Sequence, residues 1–282
     1  MNSKTSFINI GILRNDFKSF GWIAAVYLLG LLLSVPLKIV MIHSQQATTG
    51  IINIVHISLS NNPYLQIFHF MSPLQLALLL TIPVLTGLFL FRYLQSGEAA
   101  DMIHALPVRR ETLYNTHLVA GIILLFVPVI VTALIAWAVL QGLGIDYVSG
   151  REVLIWLGVS LVFNLLLFTC SATVGILCGM STVQGALTYI LLLLPAGLSL
   201  LLFDNMRLHI FGFPTDYINT NIEMLSPLLR ISSNLPFTGG EIAIYLLCCL
   251  AFFLTGGFLY RRRPIENAGN ALAFRPLHPV LI

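Results

Sequence analysis

Apolar residues run in six long blocks along this chain, and polar residues gather in the intervals between them. The blocks are Gly21–Ile42, Leu74–Leu94, Leu118–Leu143, Leu154–Cys178, Ala186–Phe203 and Ile242–Tyr260. Each approaches or exceeds the roughly 20 residues that carry a helix across a ~30 Å hydrocarbon layer. Backbone groups in that layer must pair within the segment, so the pattern predicts helices. Strands of a β-barrel would alternate over about ten residues, and no such period is present. The expectation is an all-α, polytopic bundle of six transmembrane helices.

The intervals add detail. In Phe7–Phe20, Ile10, Leu13, Phe17 and Phe20 fall on one helical face, with Arg14, Asn15 and Lys18 on the other. That pattern predicts an amphipathic elbow helix lying in the interface over residues 1–20, ahead of a membrane domain over 21–260; a plain extension of the first span is the alternative. Pro36 predicts a kink. His43–Ser72 predicts a loop with a short packed or surface helix, with Asn61–Asn62–Pro63 as a turn signal. A tight uncharged turn, Gly179–Gly185, joins the fourth and fifth spans. The longest loop, 204–240, has room for short helices of its own.

Composition agrees: 57% of the 282 residues are hydrophobic and 9% charged, and mean hydropathy is +0.92. An ordinary soluble domain is excluded. Charge then orients the bundle. With the amino terminus inside, ten of the fourteen Lys and Arg fall on the cytoplasmic side, among them Lys4, Arg92, Arg109 and the run Arg261–Arg263. The positive-inside bias predicts a multi-pass protein of the cytoplasmic membrane with both termini cytoplasmic. The net charge of +3 is therefore a topology signal, and no basic, aromatic-interleaved stretch suggests nucleic acid. The first apolar run is too long for a cleavable signal and is read as retained. Tyr260–Arg263 reads as a stop-transfer cluster under an aromatic anchor, opening a basic tail over 261–282. The apolar ending Val280–Leu281–Ile282 leaves open that the natural chain continues further.

Motifs for catalysis are missing. Lys4–Thr5 and Lys18–Ser19 lack the glycine of a phosphate-binding loop, and there is no HExxH or GxSxG. Acidic residues avoid the cores of the spans, which argues against ion-coupled transport. His56, His69 and His104 share no ligand spacing, and Cys170, Cys178, Cys248 and Cys249 lie within spans without metal spacing, so no metal site is expected. Asn164, Thr169, Ser171 and Thr173 are expected to bond across helices or to their own backbone. Gly175 and Gly179 form a small-xxx-small pair suited to close helix contact.

The most unusual interval is Gln95–Gly121. Ala99, Met102, Ile103 and Leu106 recur at helical spacing, so Glu98–Leu106 predicts a short amphipathic helix with Glu98 and Asp101 near its positive end. Pro107 breaks it, and Arg109–Arg110–Glu111 begins a second helix leading into the third span. An apolar ridge with flanking charges suits either a groove on a partner protein or the membrane surface.

The run Ala105–Tyr114 (ALPVRRETLY), followed by Leu118–Val119–Ala120–Gly121, resembles the segment after the second helix of ABC-2-type transporter permeases, with His117 standing where that family often has Lys. Leu13–Asp16 through Gly21–Ile23 to Pro36–Leu37 also looks like these proteins. The similarity is greatest to permeases of Gram-positive cell-envelope-stress export operons, some of them named acetoin-utilisation transporters. This resemblance implies a coupling segment over 95–117 that docks on a cytoplasmic ABC ATPase, through Glu98, Asp101, Met102, Ile103, Leu106, Pro107, Arg109, Arg110 and Glu111. ATP and Mg would sit on that partner, and this chain would bind no cofactor and be no enzyme itself. It further implies a homodimer or heterodimer of permeases among membrane lipids, exporting a hydrophobic or amphipathic cargo. A non-transporting scaffold or sensor subunit is the alternative.

Overall fold

In a computed structural model, the described residues are 8–49, 63–70, 72–98, 102, 105, 108–145, 148–211, 223–233 and 237–263. They form α1 (Ile10–Ser34), α2 (Pro36–Thr49), α3 (Pro63–Phe68), α4 (Pro73–Phe91), a 3-10 turn (Arg92–Gln95), α5 (Arg110–Gly142), α6 (Gly150–Leu177), α7 (Ser181–His209), α8 (Pro227–Ser232) and α9 (Gly239–Arg262). Six segments are long and apolar enough to cross a membrane, counting α1 with α2 as one and α3 with α4 as another. The fold is an all-helical, multi-pass membrane bundle. The tail beyond 263, and residues 212–222 and 234–236 of the loop 204–240, lie outside the described residues.

Local chemistry explains where the helices begin and end. Asn9 caps α1, its Oδ1 accepting from the Gly11 and Ile12 N–H groups at 2.9 and 3.4 Å. Ser149 caps α6 by accepting from the Arg151 N–H. Thr238 and Glu241 form a reciprocal capping box at the start of α9. At Pro36 the proline has no N–H to donate, and α1 gives way to α2 at Val35, as the sequence predicts for a kink. Most of the spanning helices are longer than their apolar blocks because polar residues extend their ends, while α4, at 19 residues, stops short of its block's end at Leu94. At 1.5 Å per residue the 33 residues of α5 run about 50 Å, well past a ~30 Å core.

The elbow expectation is revised. Residues 10–20 are not a separate helix: α1 continues without a break from Ile10 into the first span. Nothing at Gly21 forces a bend, and two contacts hold this stretch against α5. The Asn9 N–H donates to Thr116 Oγ1 at 3.0 Å, and Asp16 meets His117. Of the expected elbow residues, Ile10, Arg14 and Lys18 are exposed, while Leu13 and Phe17 are half-buried. The short helix expected in 43–72 appears as α3, directly after the Asn61–Asn62–Pro63 signal; Ile51–Leu59 lies outside the described residues. The turn between α6 and α7 is only residues 178–180, since α7 starts at Ser181.

The axis of the bundle is α6. It packs against α4, α5, α7 and α9, with 61% of its apolar window buried against 17% for α7 and for α9. Polar side chains tie it to its neighbours. Asn164 and Tyr27 hydroxyl exchange bonds at 3.1–3.2 Å, Ser171 donates to Val84 O at 3.1 Å, and Thr173 to Phe252 O at 2.9 Å. Thr169 turns back to Leu165 O. These are the cross-helix and backbone roles the sequence suggests. Close approach depends on glycine: a Cβ on Gly121 would collide with the Phe168 ring, and one on Gly175 would come 2.5 Å from the Gln184 amide.

Candidate functional site

At one end of the bundle the start of α1, the end of α4, the start of α5, the α6–α7 turn and the end of α9 converge. Two buried charged groups organise this end, and hydropathy reveals neither.

The first is Arg263. The sequence reads it as part of a stop-transfer cluster; in the structure it is buried, 5% exposed. Its Nη1 donates to Gly175 O and Ile176 O at 2.8 and 2.9 Å, and its Nη2 to Leu94 O and Cys178 O at 2.8 and 3.0 Å. Carbonyls in the last turn of a helix have no intrahelical donor and carry partial negative charge. The guanidinium fork supplies both the donors and the opposite sign for α6, and reaches across to the end of the α4 arm. Burial lowers the Arg263 pKa, and the neighbouring Tyr93, Cys178 and Tyr260 work in the opposite direction. Its neighbours in sequence behave differently. Arg261 meets Glu111 at 3.3 Å on the surface, and Arg262 lies 4.2 Å over the Phe258 ring.

The second is Asp16 in α1, 3% exposed, whose Oδ2 lies 2.7 Å from His117 Nδ1 in α5. His117 is 4% exposed, and its Nε2 has no hydrogen-bond partner. A buried carboxylate–imidazole pair must offset the loss of two hydration shells, so such pairs persist where geometry is good. Aromatic rings enclose this one, with Tyr93 at 5.0 Å and Phe91 at 6.1 Å from the imidazole, centroid to centroid. Beside the pair opens a cleft of about 850 Å³, bounded by α1, the end of α4 and the start of α5. Its size lies within the ~300–1,000 Å³ of ordinary ligand pockets. Phe20, Phe89, Leu90 and Tyr93 give it an apolar wall, and Arg92 and Ser96 stand at its edge.

The expected docking residues divide. Asp101, Ile103, Leu106 and Pro107 lie outside the described residues. Glu98 and Met102 are helical and exposed, Met102 at 77%. Arg109 is the exposed N-cap residue of α5, so the second helix starts where the sequence places it. Arg110 and Glu111 do not simply face outward: Arg110 Nη1 donates to Arg263 O at 3.3 Å and Arg261 O at 3.5 Å, and Glu111 pairs with Arg261. They join the start of α5 to the end of α9.

Asp16 and His117 escaped sequence reasoning as a pair. The signal was present: one acid inside a helix-forming stretch, and one histidine in the first turns of an apolar span. Spacing could not connect them, since 101 residues separate them. Of the histidines judged unremarkable, His69 lies 3.9 Å from Glu152 at the other end of the bundle. Among the described residues no three His, Cys, Asp or Glu side chains gather as a metal site would need. No protein-family model, curated protein or solved structure matches this chain.

Proposed function

We propose that this chain is the membrane subunit of an ATP-driven transporter of the ABC-2 type. In this reading both termini and the segment 95–117 face the cytoplasm, a separate ATPase docks on that segment, and the cargo is hydrophobic or amphipathic and is exported. The carrying observation is Met102, a helical, largely exposed apolar side chain in a charged segment at the converging end of the bundle. A solvent-facing methionine of that kind suits insertion into a partner's groove.

The mechanical surroundings support the same reading. A push on the segment reaches Arg110 and Glu111, passes to Arg261 and Arg263, and from Arg263 to the ends of α4 and α6. The resemblance of Ala105–Gly121 to ABC-2-type permeases adds the identity of the partner, and the basic-residue bias adds the orientation.

The test is capture of an ATPase by the tagged full chain in mild detergent, followed by the triple replacement of Met102, Ile103 and Leu106 by Asp. The expected result is a stable, folded chain that no longer retains the ATPase. Undiminished capture by the triple variant overturns the docking role.

A further inference from the structure

The buried charge in the cleft beside α1 carries a ligand preference of its own. Asp16 commits only Oδ2 to His117. Oδ1 takes no hydrogen bond from the described residues and is not sealed from the space beside it. Phe20 and Phe89 pack with their ring centroids 6.2 Å apart, and Tyr93 closes the wall against the imidazole. A carboxylate oxygen behind a row of aromatic faces is the chemistry that recognises an organic ammonium or phosphonium, through Coulomb attraction and cation–π contact.

The opposite preference, for an anion, would have to rest on Arg92. That residue is exposed, so its charge is screened by water and salt over about 8–10 Å, whereas Asp16 acts from a nearly dry position. The buried charge sets the sign.

We propose that this cleft binds a lipophilic organic cation, its positive centre against Asp16 and its apolar body along Phe20, Phe89 and Tyr93. An oriented carboxylate waits at the inner side, the aromatic wall removes the cation's apolar surface from water, and His117 holds the carboxylate in place through its Nδ1–H. The residues invoked all belong to this chain, and binding does not require a docked ATPase. Loss of the ATPase interaction and loss of cation binding are therefore separate results.

The experiment is equilibrium dialysis of radiolabelled tetraphenylphosphonium against the purified full chain in maltoside detergent. Labelled tetraphenylborate, of the same shape and opposite charge, is dialysed in a separate run, because the two ions pair in solution. Saturable binding of one cation per chain is expected, displaced by unlabelled tetraphenylphosphonium, with much weaker binding of tetraphenylborate. Asp16→Asn keeps an acceptor for His117 but removes the charge, and is expected to weaken binding about tenfold. Phe89→Leu is expected to weaken it about threefold. Equal affinity of the wild-type chain for the two ions, each measured alone, overturns the proposal, and that comparison needs no variant to fold. So does unchanged affinity in an Asp16→Asn protein that melts with the wild type.

Discussion

Replacing Arg263 with Ala should destabilise this protein far more than the same change at Arg261 or Arg262, although the three are adjacent and chemically identical. The wild-type guanidinium makes four hydrogen bonds of 2.8–3.0 Å to the carbonyls of Leu94, Gly175, Ile176 and Cys178. A buried acceptor left without a partner costs about 1–3 kcal/mol, so four set an upper bound near 12 kcal/mol. Two effects reduce it: water can enter the vacated volume, and removing the side chain cancels the several kcal/mol spent desolvating a guanidinium. Four charge-assisted hydrogen bonds at about 1.5–3 kcal/mol each, less the recovered desolvation, leave an expected net loss of about 3–5 kcal/mol. At Arg261 the partner is Glu111, with both side chains more than half exposed (62% and 57%), which limits the loss to about 1 kcal/mol or less. At Arg262 the cation–π contact with Phe258 contributes about 0.5–1 kcal/mol. Arg263→Lys should recover only part, because an ammonium cannot span four carbonyls on two sides as a planar fork does. The assay is equilibrium unfolding in mixed micelles, followed by the fluorescence of buried Trp156. If Arg263→Ala loses no more stability than Arg261→Ala, the capping role assigned to Arg263 is wrong.

Other expectations concern the helix contacts. Gly121→Ala pushes a methyl into the buried Phe168 ring and should cost about 1–3 kcal/mol, partly restored by Phe168→Leu in the same chain; a neutral Gly121→Ala melting curve would deny the close α5–α6 approach. A double-mutant cycle on Tyr27→Phe and Asn164→Leu should return a coupling of about 0.6 kcal/mol, the usual size for a hydrogen bond between membrane helices; zero coupling would mean the pair is not formed in the membrane. Asp16→Ala leaves the buried His117 Nδ1–H without its acceptor and should cost about 1–3 kcal/mol, with Asp16→Asn much milder. Equal losses from the two, read by the same unfolding titration, would show that the hydrogen bond to His117 contributes little.

Where apolar runs decide the structure, the sequence was legible. Each of the six blocks lies within or largely overlaps a helical span, because a helix in lipid must be apolar over its whole length and that property is local. The ends were less legible. Caps such as Asn9 and Ser149 lengthen helices with polar residues that a hydropathy window discards. The T-x-x-E of Thr238–Glu241 was a readable capping signal of this kind. The interior polar contacts of Asn164, Ser171 and Thr173 were foreseeable in kind, since buried polar groups in a bundle must find partners. Their partners Tyr27, Val84 and Phe252 were not, because they are fixed by which helices become neighbours. Arg263 is the sharpest case: three consecutive arginines carry one composition and three environments, and only the packing of α6 against the end of α4 tells them apart. The candidate site shares this difficulty. Asp16 and His117 are unremarkable one at a time and acquire meaning only when α1 and α5 bring them within 2.7 Å.

The Arg263 contacts also bear on the order in which the molecule is completed. A ribosome delivers the chain from its amino end, so the acceptors at Leu94 and Cys178 emerge 169 and 85 residues before the donor that satisfies them. Until α9 has inserted, the final turn of α6 and the end of the α4 arm have no other cap among the described residues and are free to fray. Maturation of this end is thus gated by α9, and a nascent chain stopped just short of residue 263 would hold all six described spans yet expose an unlocked end to proteases and chaperones. Pulse-labelled truncations ending on either side of Arg263 would show that step as an abrupt gain in resistance to proteolysis.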